Sequence, residues 1–196
     1  MPKSNSKVFR DFIEQVVKEL TISQNDGERT TAVEKALPAL LQKKDWLQPE
    51  SLKPNSTNYA RNLIYRDPDL GFVVVAMVWL PGQKTAVHDH SGIWCVEGVL
   101  EGSVRITQYD PIRDPKSNNG FQLRLSGCFE SGSGDTGRLI PPFEYHKIEN
   151  VGTEIAITIH VYGKDLLDCK VFEELPDGLF QMETVQMQYN PILTGK

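Results

Sequence analysis

His88-Asp89-His90, followed five residues later by Cys95, is the stretch of this sequence best equipped for chemistry. Imidazole is a good ligand for iron, zinc, copper and nickel. On a β-strand, residues i and i+2 face the same side. Both rings can therefore reach one ion from a single piece of backbone, while Asp89 points the other way. The chain holds four histidines in all: His88, His90, His146 and His160. A lone histidine on a strand is usually structural or solvated, and an isolated His-x-His pair often arises by chance. Gly82 at a fixed distance upstream, and His146 after the Pro141-Pro142 turn, raise this pair above that background. Three neutral imidazoles on one face of an ion leave positions open for a substrate or oxygen. With no carboxylate among them, the ion keeps its full charge and favours anionic ligands such as a thiolate, which a bound metal deprotonates.

Such rings need a rigid support, and the rest of the chain supplies the pattern for one. Residues 7–20 put Val8, Phe9, Phe12, Ile13, Val16, Val17 and Leu20 at helical spacing. Residues 28–43 read as a second helix that Pro38 bends or divides, and 45–58 as a connection rich in Pro, Ser and Asn. From about residue 59 the character changes to short strand-like runs at 61–66, 72–79, 94–100, 103–109, 121–126, 137–140, 145–149 and 154–162, with one more around 182–189. Turn-forming residues separate them, among them Asp67-Pro68-Asp69, Pro81-Gly82 and Ser117-Asn118-Asn119-Gly120. Many short strands at this spacing make a β-sandwich or barrel of the jelly-roll kind. The expected organisation is an N-terminal helical segment, 1–50, packed on a single β-domain, 51–196.

Composition narrows the function classes. The 196 residues are 39% hydrophobic and 24% charged, as in an ordinary globular protein. A net charge of −5 argues against nucleic acid or an anionic membrane as partner. The three cysteines, Cys95, Cys128 and Cys169, are too few and too unevenly numbered for a disulfide framework. The first residues lack the apolar core of a signal peptide, and no run approaches the roughly 18 apolar residues of a membrane span. A cytoplasmic location is the expectation. The helices either cover the barrel or form an interface, and a monomer is the default.

Gly82-(five residues)-His88-Asp89-His90 resembles the first motif of the cupin superfamily, with Cys95 where that motif carries Glu and Gly102 seven residues further on. His146 with Asn150 resembles the end of the second motif, although Phe143 stands where a glycine is expected. Adding Tyr59-Ala60-Arg61-Asn62-Leu63 and Thr158-x-His160-x-Tyr162, the set resembles the cysteine dioxygenase family, small cupin thiol dioxygenases, from about residue 55 to 170.

That resemblance implies a cupin β-barrel with Fe(II) held by His88, His90 and His146. It implies that Arg61 binds the substrate carboxylate through its planar guanidinium, with Tyr59 lining the same pocket. Without the resemblance, Arg61 reads as a surface arginine. Thr158, where the family usually has Ser, His160 and Tyr162 would form a hydroxyl–imidazole–phenol chain that holds the phenol and moves protons. By themselves the three read as the polar face of an alternating strand. The family also implies a thioether between Cys95 and Tyr162, while a buried free cysteine otherwise behaves as a small hydrophobe. Cys128 and Cys169 read as structural. The implied activity is oxidation of L-cysteine by O2 to cysteine sulfinic acid. Alternatives are dioxygenation of 3-mercaptopropionate or another small thiol, a non-catalytic metal-binding cupin, and a zinc- or nickel-dependent isomerase.

Overall fold

The computed structural model describes residues 6–112, 122–142, 144–176 and 178–190. Phe143 and the turn 117–120 lie outside the described residues. Two helices, α1 (Lys7–Ile22) and α2 (Asp26–Leu41), precede eleven strands. These are β1 (Ala60–Arg66), β2 (Val73–Trp79), β3 (Val87–His88), β4 (Cys95–Glu101), β5 (Ser103–Ile112), β6 (Gln122–Gly132), β7 (Thr136–Leu139), β8 (His146–Glu149), β9 (Ala156–Tyr162), β10 (Asp168–Glu174) and β11 (Phe180–Gln186). They form a five-stranded sheet, β1-β2-β9-β4-β7, and a six-stranded sheet, β11-β10-β3-β8-β5-β6. All the pairings are antiparallel. This is the expected cupin jelly-roll with N-terminal helices.

The five-stranded sheet is covered on both faces, which explains why β2 and β9 are buried along their whole length. Alternate residues of β2 divide between two cores. Val74, Ala76 and Val78 pack with Phe9, Phe12, Leu37 and Leu40 of the helices. Val73, Val75, Met77 and Trp79 face the other way, packing with Cys95, Ile106 and Tyr162 inside the barrel. Hence the run at 72–79 shows no polar alternation: both faces meet apolar partners.

The helix α2 lies against β4 at Gly98, where a Cβ would come within 2.6 Å of the Leu41 side chain. Pro38 does not divide α2, which runs unbroken to Leu41. Leu37, Leu40 and Leu41, all buried, anchor the turns around it, outweighing the one backbone hydrogen bond that proline removes. The helix begins at Asp26, two residues earlier than its periodicity indicates, because Asn25 caps it by accepting the Glu28 N–H. The connection at 45–58 holds a short 3-10 turn, Pro49–Leu52. It also buries Trp46, which stacks on Phe9 at 5.1 Å. Among the described residues no helix is long and apolar enough to cross a membrane.

Candidate active site

The strand β3 is only two residues long, yet it lies between β10 and β8 in the six-stranded sheet. His88 is in register with His146 of β8 on one side and Val171 of β10 on the other. Cross-strand pairing therefore brings His146 to His88 directly, while His90 follows just past the strand end. Asp89, pointing away from the rings, takes over the pairing where the strand stops. Its backbone N–H donates to the Lys170 carbonyl, and its carboxylate accepts the Lys170 and Ser91 N–H groups.

The three rings converge. Their centroids are 4.6 Å (His88–His146), 4.9 Å (His90–His146) and 5.4 Å (His88–His90) apart. One nitrogen from each lies within 4.8 Å of the others, close enough to hold a single ion. His88 Nδ1 donates to the Ala86 carbonyl at 3.1 Å and His146 Nδ1 to the Glu144 carbonyl at 3.0 Å. A carbonyl only accepts, so the proton sits on Nδ1 and the Nε2 lone pair is left for a metal. His90 is 1% exposed, and neither of its nitrogens has a hydrogen-bond partner. Two orphaned ring nitrogens at that depth fit an ion better than any protein partner. Burial, first of all, lowers the pKa of each ring, with the neighbouring histidines adding to it for His90 and His146. All three rings are neutral at ordinary pH, the form in which an imidazole can bind a metal.

Beside the triad opens a pocket of about 520 Å³ lined by Tyr59, Arg61, His88, Cys169, Met187 and Tyr189, among others. Arg61, on β1, is 3% exposed. Its Nη2 donates to the Leu166 carbonyl at 3.1 Å, while Nε and Nη1 have no partner. The guanidinium carbon lies 4.2 Å over the Tyr189 ring and 6.0 Å from the Tyr162 ring. A buried cation with two idle N–H groups is costly unless an anion arrives. Tyr59 precedes β1 and stacks on Trp79 at 4.5 Å. Asn190 clamps the backbone of Arg61, accepting its N–H through Oδ1 and donating to its carbonyl.

Thr158, His160 and Tyr162 share the inner face of β9, all buried. Thr158 Oγ1 lies 2.8 Å from His160 Nε2. The second half of the expected chain is missing among the described hydrogen bonds: His160 does not reach the Tyr162 phenol. Instead the two rings stack at 5.9 Å, 10° from parallel, as side chains roughly 6.5 Å apart along one strand do. His160 Nδ1 points across to β4, 3.5 Å from Glu97 Oε2 and 4.0 Å from Cys95 Sγ. Cys95 is the register partner of Tyr162, so thiol and phenol lie on the same face of neighbouring strands. Burial raises the pKa of both thiol and phenol well above the usual, so both keep their protons. Burial lowers His160 to about 3, so it stays neutral.

Glu97, Trp79 and Tyr189 have no role in the motifs of the sequence. Glu97 carried a signal: a carboxylate two residues after Cys95 in an otherwise apolar run. Trp79, whose indole donates to Thr158 Oγ1 at 2.9 Å, looks like any core residue. Tyr189 reaches Arg61 from the far end of the chain, and no local pattern marks it. Cys169 is buried against Met187, whereas Cys128 is exposed.

Cysteine dioxygenase type 1 of Danio rerio is 25% identical over 168 residues, 84% of this chain and 80% of that protein. The Rattus norvegicus protein of the same name is 28% identical over 123 residues, 59% of this chain and 56% of its own length. A Klebsiella pneumoniae protein of known structure, described by its double-stranded beta-helix domain, aligns with a TM-score of 0.44 at 21% identity over 61% of this chain and 90% of its own. The family profile described as cysteine dioxygenase type I matches residues 6–175, from the first helix through β10 and across all four histidines, and the chain belongs to that family.

Proposed function

We propose that this protein is an Fe(II)-dependent thiol dioxygenase that converts L-cysteine and O2 to cysteine sulfinic acid, with no other reductant or oxidant consumed. The observation that carries the reading is Arg61, a buried guanidinium with idle Nε and Nη1 in the pocket that His88 also lines. A carboxylate is the planar anion that two parallel N–H donors match, and either idle nitrogen makes such a pair together with a proton of Nη2, the other of whose protons goes to the Leu166 carbonyl. A substrate anchored there by its carboxylate lies beside the three imidazoles with its thiol end free. His88, His90 and His146 would hold iron, which supplies the oxygen chemistry on sulfur.

The other groups orient and protect. Tyr59 and Tyr189 wall the pocket around Arg61. Tyr162, kept protonated by burial, offers a hydrogen-bond donor beside His90, whose ring is 5.3 Å away. The register pairing of Cys95 with Tyr162 supports a thioether between them, formed by loss of two hydrogens to O2; a mass about two units below the calculated one is expected, and an unmodified thiol in the active protein would contradict it. The enzyme needs no membrane or nucleic acid, acts as a monomer, and belongs in the cytoplasm.

Oxygen uptake by iron-loaded protein, with L-cysteine and 3-mercaptopropionate side by side in labelled oxygen, tests the reading. Faster uptake with cysteine, and a sulfinate carrying two labelled atoms, is the expected result. Preference for 3-mercaptopropionate, which lacks the amine, would keep the chemistry and change the substrate. No uptake with either thiol despite bound iron would favour a metal-binding protein without this activity.

A further inference from the structure

Inside the barrel, β4 and β9 place three pairs of residues opposite one another: Cys95 with Tyr162, Glu97 with His160, and Val99 with Thr158. Directly opposed residues of neighbouring strands share a face, so register alone delivers Glu97 to His160. On the other flank of β4 the residue opposite Glu97 is Gly137, which has no side chain to compete for the space. Glu97 is 6% exposed, and its Oε2 has no hydrogen-bond partner but lies 3.5 Å from His160 Nδ1. The carboxylate also borders a cavity of about 30 Å³, shared with Thr158, Gln108 and Asp135, with room for a single water. A carboxylate this deep is costly to keep without a donor aimed at it.

The direction of the hydrogen bonds follows from Trp79. An indole N–H only donates, so Thr158 Oγ1 accepts from Trp79. The Thr158 hydroxyl proton is then free to point at His160 Nε2, 2.8 Å away. Nε2 is an acceptor in that arrangement, which leaves the proton of the neutral ring on Nδ1, the nitrogen facing Glu97. We propose that Glu97 is a positioning residue: its carboxylate accepts the Nδ1 proton of His160 and fixes the tautomer whose Nε2 receives the Thr158 hydroxyl. The order carboxylate, imidazole, hydroxyl is the one by which a buried acid orients an imidazole in other enzymes. Its consequence for catalysis rests on the dioxygenase reading. The His160 ring is held parallel behind Tyr162 and beside Cys95, which leaves the phenol outside the hydroxyl–imidazole–carboxylate chain.

The test is nitrogen-15 NMR of the His160 ring in the full-length, metal-free chain at pH 8, above the value of about 7 to which burial raises Glu97. The proposal predicts a protonated Nδ1 and an unprotonated Nε2 in the wild type. Glu97→Val, which offers no acceptor, shifts the proton toward Nε2. Glu97→Gln keeps an acceptor but not its charge, so the tautomer persists and the Nδ1–H resonance moves upfield as the bond weakens. A proton on Nε2 in the wild type, or an Nδ1–H resonance unmoved in Glu97→Gln, overturns the proposal, even if Glu97→Val does not fold. In turnover, Glu97→Val loses roughly tenfold in kcat with KM unchanged, and Glu97→Gln recovers part of it; an effect confined to KM contradicts the role. The tautomer is read without thiol or oxygen, so failure of the dioxygenase reading and failure of this proposal are distinguishable.

Discussion

Four histidines lie within the same barrel, all buried, and the protein treats them in two ways. At the pocket, His88 and His146 each engage one nitrogen with a carbonyl and leave the other open, while His90 engages neither. Deeper along β9, His160 has a protein group facing each nitrogen, Thr158 on one side and Glu97 on the other. Burial lowers the pKa in every case, so all four are neutral. Neutrality therefore does not separate a ligand from a positioned ring. The lone pairs do: where the fold leaves them idle and convergent, an ion is the partner they lack.

Arg61 is the sharpest probe of the pocket side. Arg61→Lys keeps the charge but replaces the planar fork by a point donor. The expected loss is roughly a hundredfold in kcat/KM, mostly in KM, with bound iron unchanged, because what is removed is worth about 3 kcal/mol of carboxylate recognition. Steady-state kinetics and metal analysis on the same sample check both parts. A loss in kcat alone would mean that Arg61 does not anchor the substrate.

A smaller effect is expected on the inner side, in stability against pH. Burial raises Glu97 from 4.5 to about 7. Between those values the native state holds a proton that the unfolded state has already released. This group costs no stability below about pH 4.5, and its cost grows as pH rises to about 7. Glu97→Gln removes the decline. The stability difference between variant and wild type should therefore change in the variant's favour by roughly 2 kcal/mol from pH 4.5 to 8, less than the full shift because the cavity beside Glu97 has room for a screening water. Urea melts at both pH values measure it; parallel curves for the two proteins would show that Glu97 titrates as an exposed carboxylate.

The same division runs through what the sequence made legible. Strands with one dominant pattern, such as 72–79 and 154–162, stood out, and so did the His-x-His spacing, because chemistry confined to one short stretch leaves a local mark. The strand β10 did not: in Asp168–Glu174 only Cys169 and Phe172 are buried, too few for a periodic signal. The strand β3 was invisible as an element because two residues carry no period, and it exists through its neighbours β8 and β10. The phenol end of the β9 chain is not legible in the sequence for a related reason. Periodicity along β9 puts Thr158, His160 and Tyr162 on one face but does not say which hydrogen bonds form. That depends on the register with β4, which brings Glu97 and not the phenol to His160 Nδ1.

Metal content settles the contrast between the histidines most directly. His146→Ala and His160→Ala, each shown to be folded, are loaded with Fe(II) under anaerobic conditions, desalted and assayed for iron. The account predicts that His146→Ala loses the ion while His160→Ala retains about as much as the wild type. Equal retention in both, or loss from His160→Ala alone, would contradict the assignment of His88, His90 and His146 as the metal centre.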